Sequence, residues 1–225
     1  MYKYELHLHT SECDLVARSS GAECVRLYHE AGYDGMVVTN HYFATFFDWF
    51  ADELQGAGHR RIIDRLLRGY HNAREEGEKR GFTVLVGAEV RFADSANDYL
   101  IYGADEDFFY KAPLLHRLSG VEELISLLPG TALVVQAHPF RDGMTVRDPS
   151  CLFGVEGYNG NNPPFRDEMA KAFARHYGKP MTSGSDYHEP AHLACGGIET
   201  RHRITTSAEL SAVLRGGEYS LIEGR

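Results

Sequence analysis

Residues 4–10 read Tyr4-Glu5-Leu6-His7-Leu8-His9-Thr10. Tyr4–Leu8 is short and largely apolar, which predicts a strand, and that strand runs out on two histidines. Residues two apart on a strand share a face, so His7 and His9 present both imidazoles to one side. The layout recurs along the chain. Gly35–Thr39 is a second apolar run, ending at Asn40-His41. Thr83–Val90 is a third, with Gly87-Ala88-Glu89 near its end, and Tyr99–Gly103 a fourth. Ala132–Ala137 is a fifth and leads into His138-Pro139. Phe153–Tyr158 is a sixth and carries Glu156, and Pro180–Gly184 is a seventh that leads into Ser185-Asp186-Tyr187-His188.

Helical patterns separate these runs. Ser19–Ala31 predicts a helix, with Ser20 and Glu23 as a capping box and Gly32 as the stop. Arg60–Lys79 is long, charged and amphipathic, and Gly81 ends it. Ser119–Leu128 has a second capping box in Ser119 and Glu122 and closes at Pro129-Gly130. Phe165–Tyr177 and Ser207–Arg215 complete the set. The apolar runs are continuous rather than alternating, the mark of strands buried on both faces of a parallel sheet. Repeated βα units imply an open doubly wound sheet or a closed barrel. No Gly-x-Gly-x-x-Gly follows the first strand, which argues against a dinucleotide site. Without a linker, low-complexity tract or repeat, residues 1–225 predict one domain.

Composition bounds the function. The 225 residues are 43% hydrophobic and 24% charged, as in a globular chain able to bury a large core. The net charge of −9 disfavours nucleic acid beyond short oligonucleotides. A phosphorylated small molecule stays compatible, because bound metal supplies local positive charge. Four cysteines without a C-x-x-C pair point to a reducing, cytoplasmic setting. Met1 leads straight into Tyr-Lys-Tyr-Glu, and no apolar run nears the ~20 residues of a membrane span, so neither signal peptide nor membrane anchoring is expected.

The twelve histidines are scattered, not clustered as a tag. Each has an ordinary explanation alone. His7 and His9 suit a solvated strand face, Asp186 and His188 a polar turn, Glu89 an ion pair with Arg91, and His138 a hydrogen-bonded core position. Together they occupy strand ends, and in a (βα) barrel those ends converge on one mouth. Imidazole and carboxylate without thiolate suit zinc, manganese or iron. Glu89 is the candidate to bridge two ions.

The ordered motifs His7-Leu8-His9-Thr10 with Asp14, Thr39-Asn40-His41, Gly87-Ala88-Glu89, Ala137-His138-Pro139 and Ser185-Asp186-Tyr187-His188 resemble those of the polymerase and histidinol phosphatase (PHP) family. The resemblance spans the chain. It implies an α/β fold, a distorted (βα)7 TIM-like barrel with a metal site at the C-terminal ends of the strands. It also implies two or three divalent metal ions. One would be held by His7, His9, Glu89 and Asp186, a second by Glu89 and His138 with Glu156 available, and a third by Asp14, His41 and His188. The chain departs from the family in two places. No histidine follows the fourth strand, and the stretch where relatives carry Ser-Asp-Gly or a histidine reads Glu12-Cys13-Asp14-Leu15.

The activity implied is hydrolysis of a small phosphomonoester or nucleotide-type phosphate by a metal-activated hydroxide. Glu89, Asp186 and His188 are the catalytic candidates. Arg18, Arg91 and Arg141 are candidate phosphate clamps, and Asn159 a further substrate contact. The aromatic stretch from Tyr42 to Phe50 is expected to be a helix packed on the barrel, with a pocket wall as the alternative. Two rival functions are a barrel metal-dependent amidohydrolase and a non-catalytic metal-binding regulatory domain.

Overall fold

The computed structural model describes residues 1–93 and 95–224. Its fold is mixed α/β, with two sheets. The first has the order β11-β10-β1-β2-β4, made of β1 (Tyr2–Glu5), β2 (Gly35–Val38), β4 (Thr83–Val86), β10 (Gly196–Thr200) and β11 (Tyr219–Glu223). The second has the order β3-β5-β6-β7-β8-β9, made of β3 (His41–Tyr42), β5 (Ala88–Arg91), β6 (Asp98–Tyr102), β7 (Leu133–Gln136), β8 (Gly154–Asn159) and β9 (Met181–Gly184).

Backbone hydrogen bonds join the sheets at two places. On one side the N–H groups of Thr39, Gly87 and Glu89 donate to the carbonyls of Leu8 (2.9 Å), Val38 (3.0 Å) and Asn40 (3.1 Å). They carry the β1–β2–β4 ladder on into β3–β5. Gly87 sits at the joint, where a Cβ would lie 2.8 Å from the Ile101 carbonyl oxygen. On the other side Leu8 bridges Tyr187 in parallel, and the His9 N–H donates to the Tyr187 carbonyl at 3.1 Å.

The pairing is not wholly parallel, as the apolar runs had suggested. β6 lies antiparallel to both β5 and β7. Only Phe92–Asn97 separate β5 from β6, too few for a crossover connection. The reversal puts the start of β6, not its end, at the rim where β5 finishes: Arg91 pairs with Asp98 in register. The seven apolar runs do not include β10 and β11, which are antiparallel and cover the edge of β1.

The helices are α1 (Gly21–Glu30), α2 (Ala44–Trp49), α3 (Ala51–Leu54), α4 (His59–Leu66), α5 (Arg68–Arg80), α6 (Glu106–Lys111), α7 (Val121–Leu127), α8 (Pro164–Tyr177) and α9 (Ser207–Gly216). The long helix expected over Arg60–Lys79 divides at Leu67 into α4 and α5 and stops at left-handed Gly81. Ser20 caps α1 by accepting the Glu23 N–H. At α7 the expected box is replaced: Gly120 is the N-cap, and Ser119 bonds Glu123 instead of Glu122.

Strands buried on both faces explain the continuous apolar runs. Met36, Val38, Val86, Val90 and Ile101 join one apolar cluster with residues of α1, α4 and α5. Val37, Leu85, Leu100, Leu133 and Val135, one residue out of phase, join the other with Leu6. At about 25 cal/mol per Å² of apolar surface, such double burial is the main force ordering the strands.

Candidate metal centre

The first and seventh strands deliver side chains where their regular pairing breaks. Glu5 and Glu156 are the buried carboxylates at these breaks. Glu5 Oε1 accepts the N–H groups of His7 (2.8 Å) and Ser185 (2.9 Å), while its other oxygen accepts the hydroxyls of Tyr28 and Ser185. It therefore satisfies backbone donors next to His7 and Asp186 that no strand partner reaches. Glycine at 184 permits the close approach there, since a Cβ would lie 2.3 Å from that of His7.

Two site residues have left-handed backbones: φ is 27° at His138 and 51° at Asp186. Such angles are uncommon outside glycine and cluster at functional sites. At His138 the effect on direction is readable. Leu133, Val135 and Ala137 belong to the inner apolar cluster, so strict alternation would turn His138 outward. The reversed φ brings its ring beside His7, 5.7 Å between centroids. Glu156 Oε2 accepts the His138 N–H at 2.9 Å and holds the turn.

The resulting cluster contains the histidines and carboxylates expected at the strand ends, except Glu156. His9, Asp14, His41 and His188 offer ligand atoms all within 4.8 Å of one another, and so do His7, His9 and Glu89; His7, His138 and Asp186; and Glu89, Asp98 and His138. Glu89 lies between several imidazoles, with Oε1 2.9 Å from His138 Nε2 and Oε2 3.0 Å from His41 Nε2 and 3.4 Å from the Nε2 atoms of His7 and His9. Asp14 Oδ2 is 2.5 Å from His41 Nδ1 and 3.6 Å from His188 Nε2.

The donor set fits divalent ions. His7 Nε2, both ring nitrogens of His9, Asp14 Oδ2 and His41 Nδ1 are buried without a well-formed hydrogen bond. Buried polar atoms are rarely left so. His7 Nδ1 lies 2.8 Å from Glu156 Oε1, which fixes the proton on Nδ1 and aims the Nε2 lone pair at Glu89 and Asp186. A carboxylate behind a ligating histidine is a common support of metal sites.

The electrostatics agree. Burial raises the carboxyl pKa of Asp186 and Glu89, yet His7 and the neighbouring imidazoles outweigh it and hold both well below the usual range. Burial lowers His7, but Glu156, Asp186 and Glu89 pull it well above the ordinary histidine value. Burial, then His41 and His188, push His9 down to about 3, so its ring is neutral at pH 7. Five buried carboxylates (Asp14, Glu89, Asp98, Glu156, Asp186) gather around these imidazoles, which marks a place suited to cations.

The family profile described as PHP-associated matches residues 166–219. Over 99% of its length the chain resembles a two-domain protein from Bacteroides vulgatus that contains a predicted PHP-like metal-dependent phosphoesterase, with a TM-score of 0.68 and 16% identity. In fold the chain resembles PHP-like proteins, and its profile match lies in the C-terminal part of the chain. The chain spans 64% of the Bacteroides protein's length. A candidate metal-dependent phosphoesterase from Bifidobacterium adolescentis matches 94% of this chain and 95% of its own, at a TM-score of 0.56 and 15% identity. An amidohydrolase from Chromobacterium violaceum, solved with sulfate and no metal, matches 84% of the chain and 89% of its own, at 0.55 and 14%. No curated protein matches the sequence.

Other expected residues take more specific places. Glu156 is outside the four ligand groups; its oxygens are engaged by His7, the His138 N–H and Asn159 Nδ2 (2.9 Å), so it orients the ligands behind the cluster. Arg141 donates to Asp186 Oδ2 at 2.7 Å, and Asn159 Nδ2 lies 3.3 Å from the same oxygen. Arg91 is committed to Asp98 by two bonds of 2.6 and 2.7 Å. The Arg18 side chain is 73% exposed and pairs with Glu189, although its backbone N–H bonds the His188 carbonyl at the rim.

Sequence reasoning missed Asp98 and Glu5. Asp98 opens β6, whereas ligands are expected where strands end; the antiparallel run of β6 inverts that rule. Glu5 showed a signal in retrospect, a carboxylate inside an apolar strand two residues before His7.

Proposed function

We propose that this chain is a PHP-family metal-dependent phosphoesterase acting on a small phosphomonoester or nucleotide-type phosphate. The carrying observation is the buried histidine–carboxylate cluster with its unsatisfied ligand atoms. On this reading two or three ions of zinc, manganese or iron bind: one at His7, His9, Glu89 and Asp186, one at Glu89 and His138 with Asp98, and one at Asp14, His41 and His188. We also read the two sheets, bonded at both edges, as one distorted seven-stranded barrel, and residues 1–225 as one domain. We place the protein in the cytoplasm, which suits four free thiols. Among the described residues no helix is long and apolar enough to cross a membrane.

Divalent ions held there would supply Lewis acidity toward phosphoryl oxygens and water of lowered pKa. The chain's own groups do the rest. Glu89 keeps its charge at neutral pH, since the imidazoles around it oppose protonation. Asp186 is steadied by Arg141 and Asn159 on one oxygen and faces His7 and His9 with the other. We assign proton delivery to the leaving alcohol to the Asp186–His188 pair, with His188 Nδ1 3.5 Å from Asp186 Oδ1 at the solvent end. Arg141 is the best placed cation to meet a substrate phosphate, because its pairing with Asp186 already points it into the cluster. Arg18 can swing in from solvent, and Arg91 takes part only with its face.

The amidohydrolase reading has one observation in its favour, the Chromobacterium neighbour of that name, and that protein was solved with a tetrahedral anion bound. Side-by-side assays of phosphate esters and amides, with and without added metal, separate the two readings. Glu89→Gln should abolish metal-dependent hydrolysis of an aryl phosphate, a loss of at least 100-fold. Retained activity would remove Glu89 from the mechanism, and metal uptake without hydrolysis of any ester or amide would leave a binding domain.

A further inference from the structure

The aromatic stretch after His41 divides in two. Phe46, Phe47 and Phe50 pack on the apolar core, as expected of a helix against a sheet. Phe43 and Trp49 belong to neither apolar cluster of the described residues. They turn instead to the cluster of ligands. The Phe43 ring lies 4.4 Å from that of His41, and Trp49 lies 6.4 Å from both His41 and Phe43. The Arg91 guanidinium covers the Phe43 ring at 4.8 Å and is fixed there by its two bonds to Asp98. On the adjoining loop, tied to His41 through Asp14, Leu15 and Val16 are 60% and 56% exposed. Large apolar side chains left uncovered beside buried ligands signal a surface built to be covered by something.

We infer that Trp49, backed by the buried ring of Phe43, forms a ring-binding wall of the site, so that the substrate is a phosphoester whose alcohol carries a planar ring, either a nucleobase or an aryl group. The inference rests on the phosphoesterase reading and sharpens its substrate class. Trp49 offers a partly exposed indole face, and aromatic stacking discriminates ring-bearing from ring-free alcohols where hydrogen bonding to a sugar would not. Phe43, held between Arg91 and His41, fixes the floor against which Trp49 stands. A sugar phosphate lacking a ring would leave this wall wet.

Trp49 is the sole tryptophan of the chain, so its fluorescence reports the wall directly. The metal-loaded full chain is titrated with adenosine 5′-monophosphate, phenyl phosphate, ribose 5-phosphate and inorganic phosphate, and read before turnover. Quenching by the first two but not the last two is expected; quenching by only one of the ring-bearing esters still supports the wall and identifies its source as nucleobase or aryl. Equal quenching by all four, or by none, overturns it. In Trp49→Ala the ratio of kcat/KM for ring-bearing over ring-free esters should fall roughly tenfold, with Trp49→Phe keeping most of it; an unchanged ratio counts against the wall. Ring-specific quenching without hydrolysis of any ester would sink the phosphoesterase reading and leave the wall. Hydrolysis of all esters alike, without quenching, would do the reverse.

Discussion

Asp14→Ala and Glu89→Ala remove different amounts of the same cluster, and the difference can be predicted. Asp14 belongs to one ligand group, with His9, His41 and His188. Glu89 belongs to two, one with His7 and His9 and one with Asp98 and His138. An ion present at about 100 times its Kd stabilises the folded chain by ~2.7 kcal/mol. For a chain of this size that is about 5–10 °C in Tm. Asp14→Ala should therefore lose one such increment of the metal-induced shift and Glu89→Ala about two. Each variant is compared with itself, metal-loaded against chelated, by calorimetry. The direct cost of the substitution, such as the lost bond from the Val16 N–H to Asp14 Oδ1, then cancels. Elemental analysis of the same samples counts the ions. Should Asp14→Ala keep the full shift and the full metal content, or Glu89→Ala lose no more than Asp14→Ala, the ligand groups described above do not bind metal as drawn.

Two further outcomes are expected. Asp98→Asn should weaken one ion at least tenfold in competition with a chelating dye while the others hold, and unchanged affinities would return Asp98 to the role of an ion-pair partner for Arg91. His116 is buried beside Phe47, 4.3 Å between rings, and burial and then Arg117 hold its pKa down to about 4. The unfolded chain takes up that proton below about pH 6.5 and the folded chain does not. His116 therefore costs stability as pH falls from 6.5 toward 4 and costs nothing above. His116→Phe should gain about 2 kcal/mol on the wild type between pH 7.5 and pH 5, read from urea midpoints of the chelated proteins; parallel pH profiles would refute the assignment.

Much of the candidate site was legible because its residues sit at local, repeated positions. An apolar run followed by histidine or carboxylate is a short-range pattern, and His7, His9, His41, Glu89, His138, Asp186 and His188 all obey it. Asp14 was legible only through the family's motif order, since nothing in Glu12-Cys13-Asp14-Leu15 distinguishes it from a surface loop. Direction was the weak point. Same-face presentation was read from strand spacing, but His138 and Asp186 reach the cluster through left-handed backbones, which no spacing rule foresees.

The sequence by itself determined the type of each element and the set of groups available at strand ends, because burial on two faces and metal-ligand chemistry both leave marks on neighbouring residues. Only the tertiary structure decided which groups meet. The antiparallel course of β6 brings Asp98 to the rim, Glu5 and Glu156 take up the N–H groups freed where strands break, and Trp49 leaves the core that claims Phe46. Each depends on contacts between residues far apart in the chain, and hydrogen bonds and packing across such distances have no local signature.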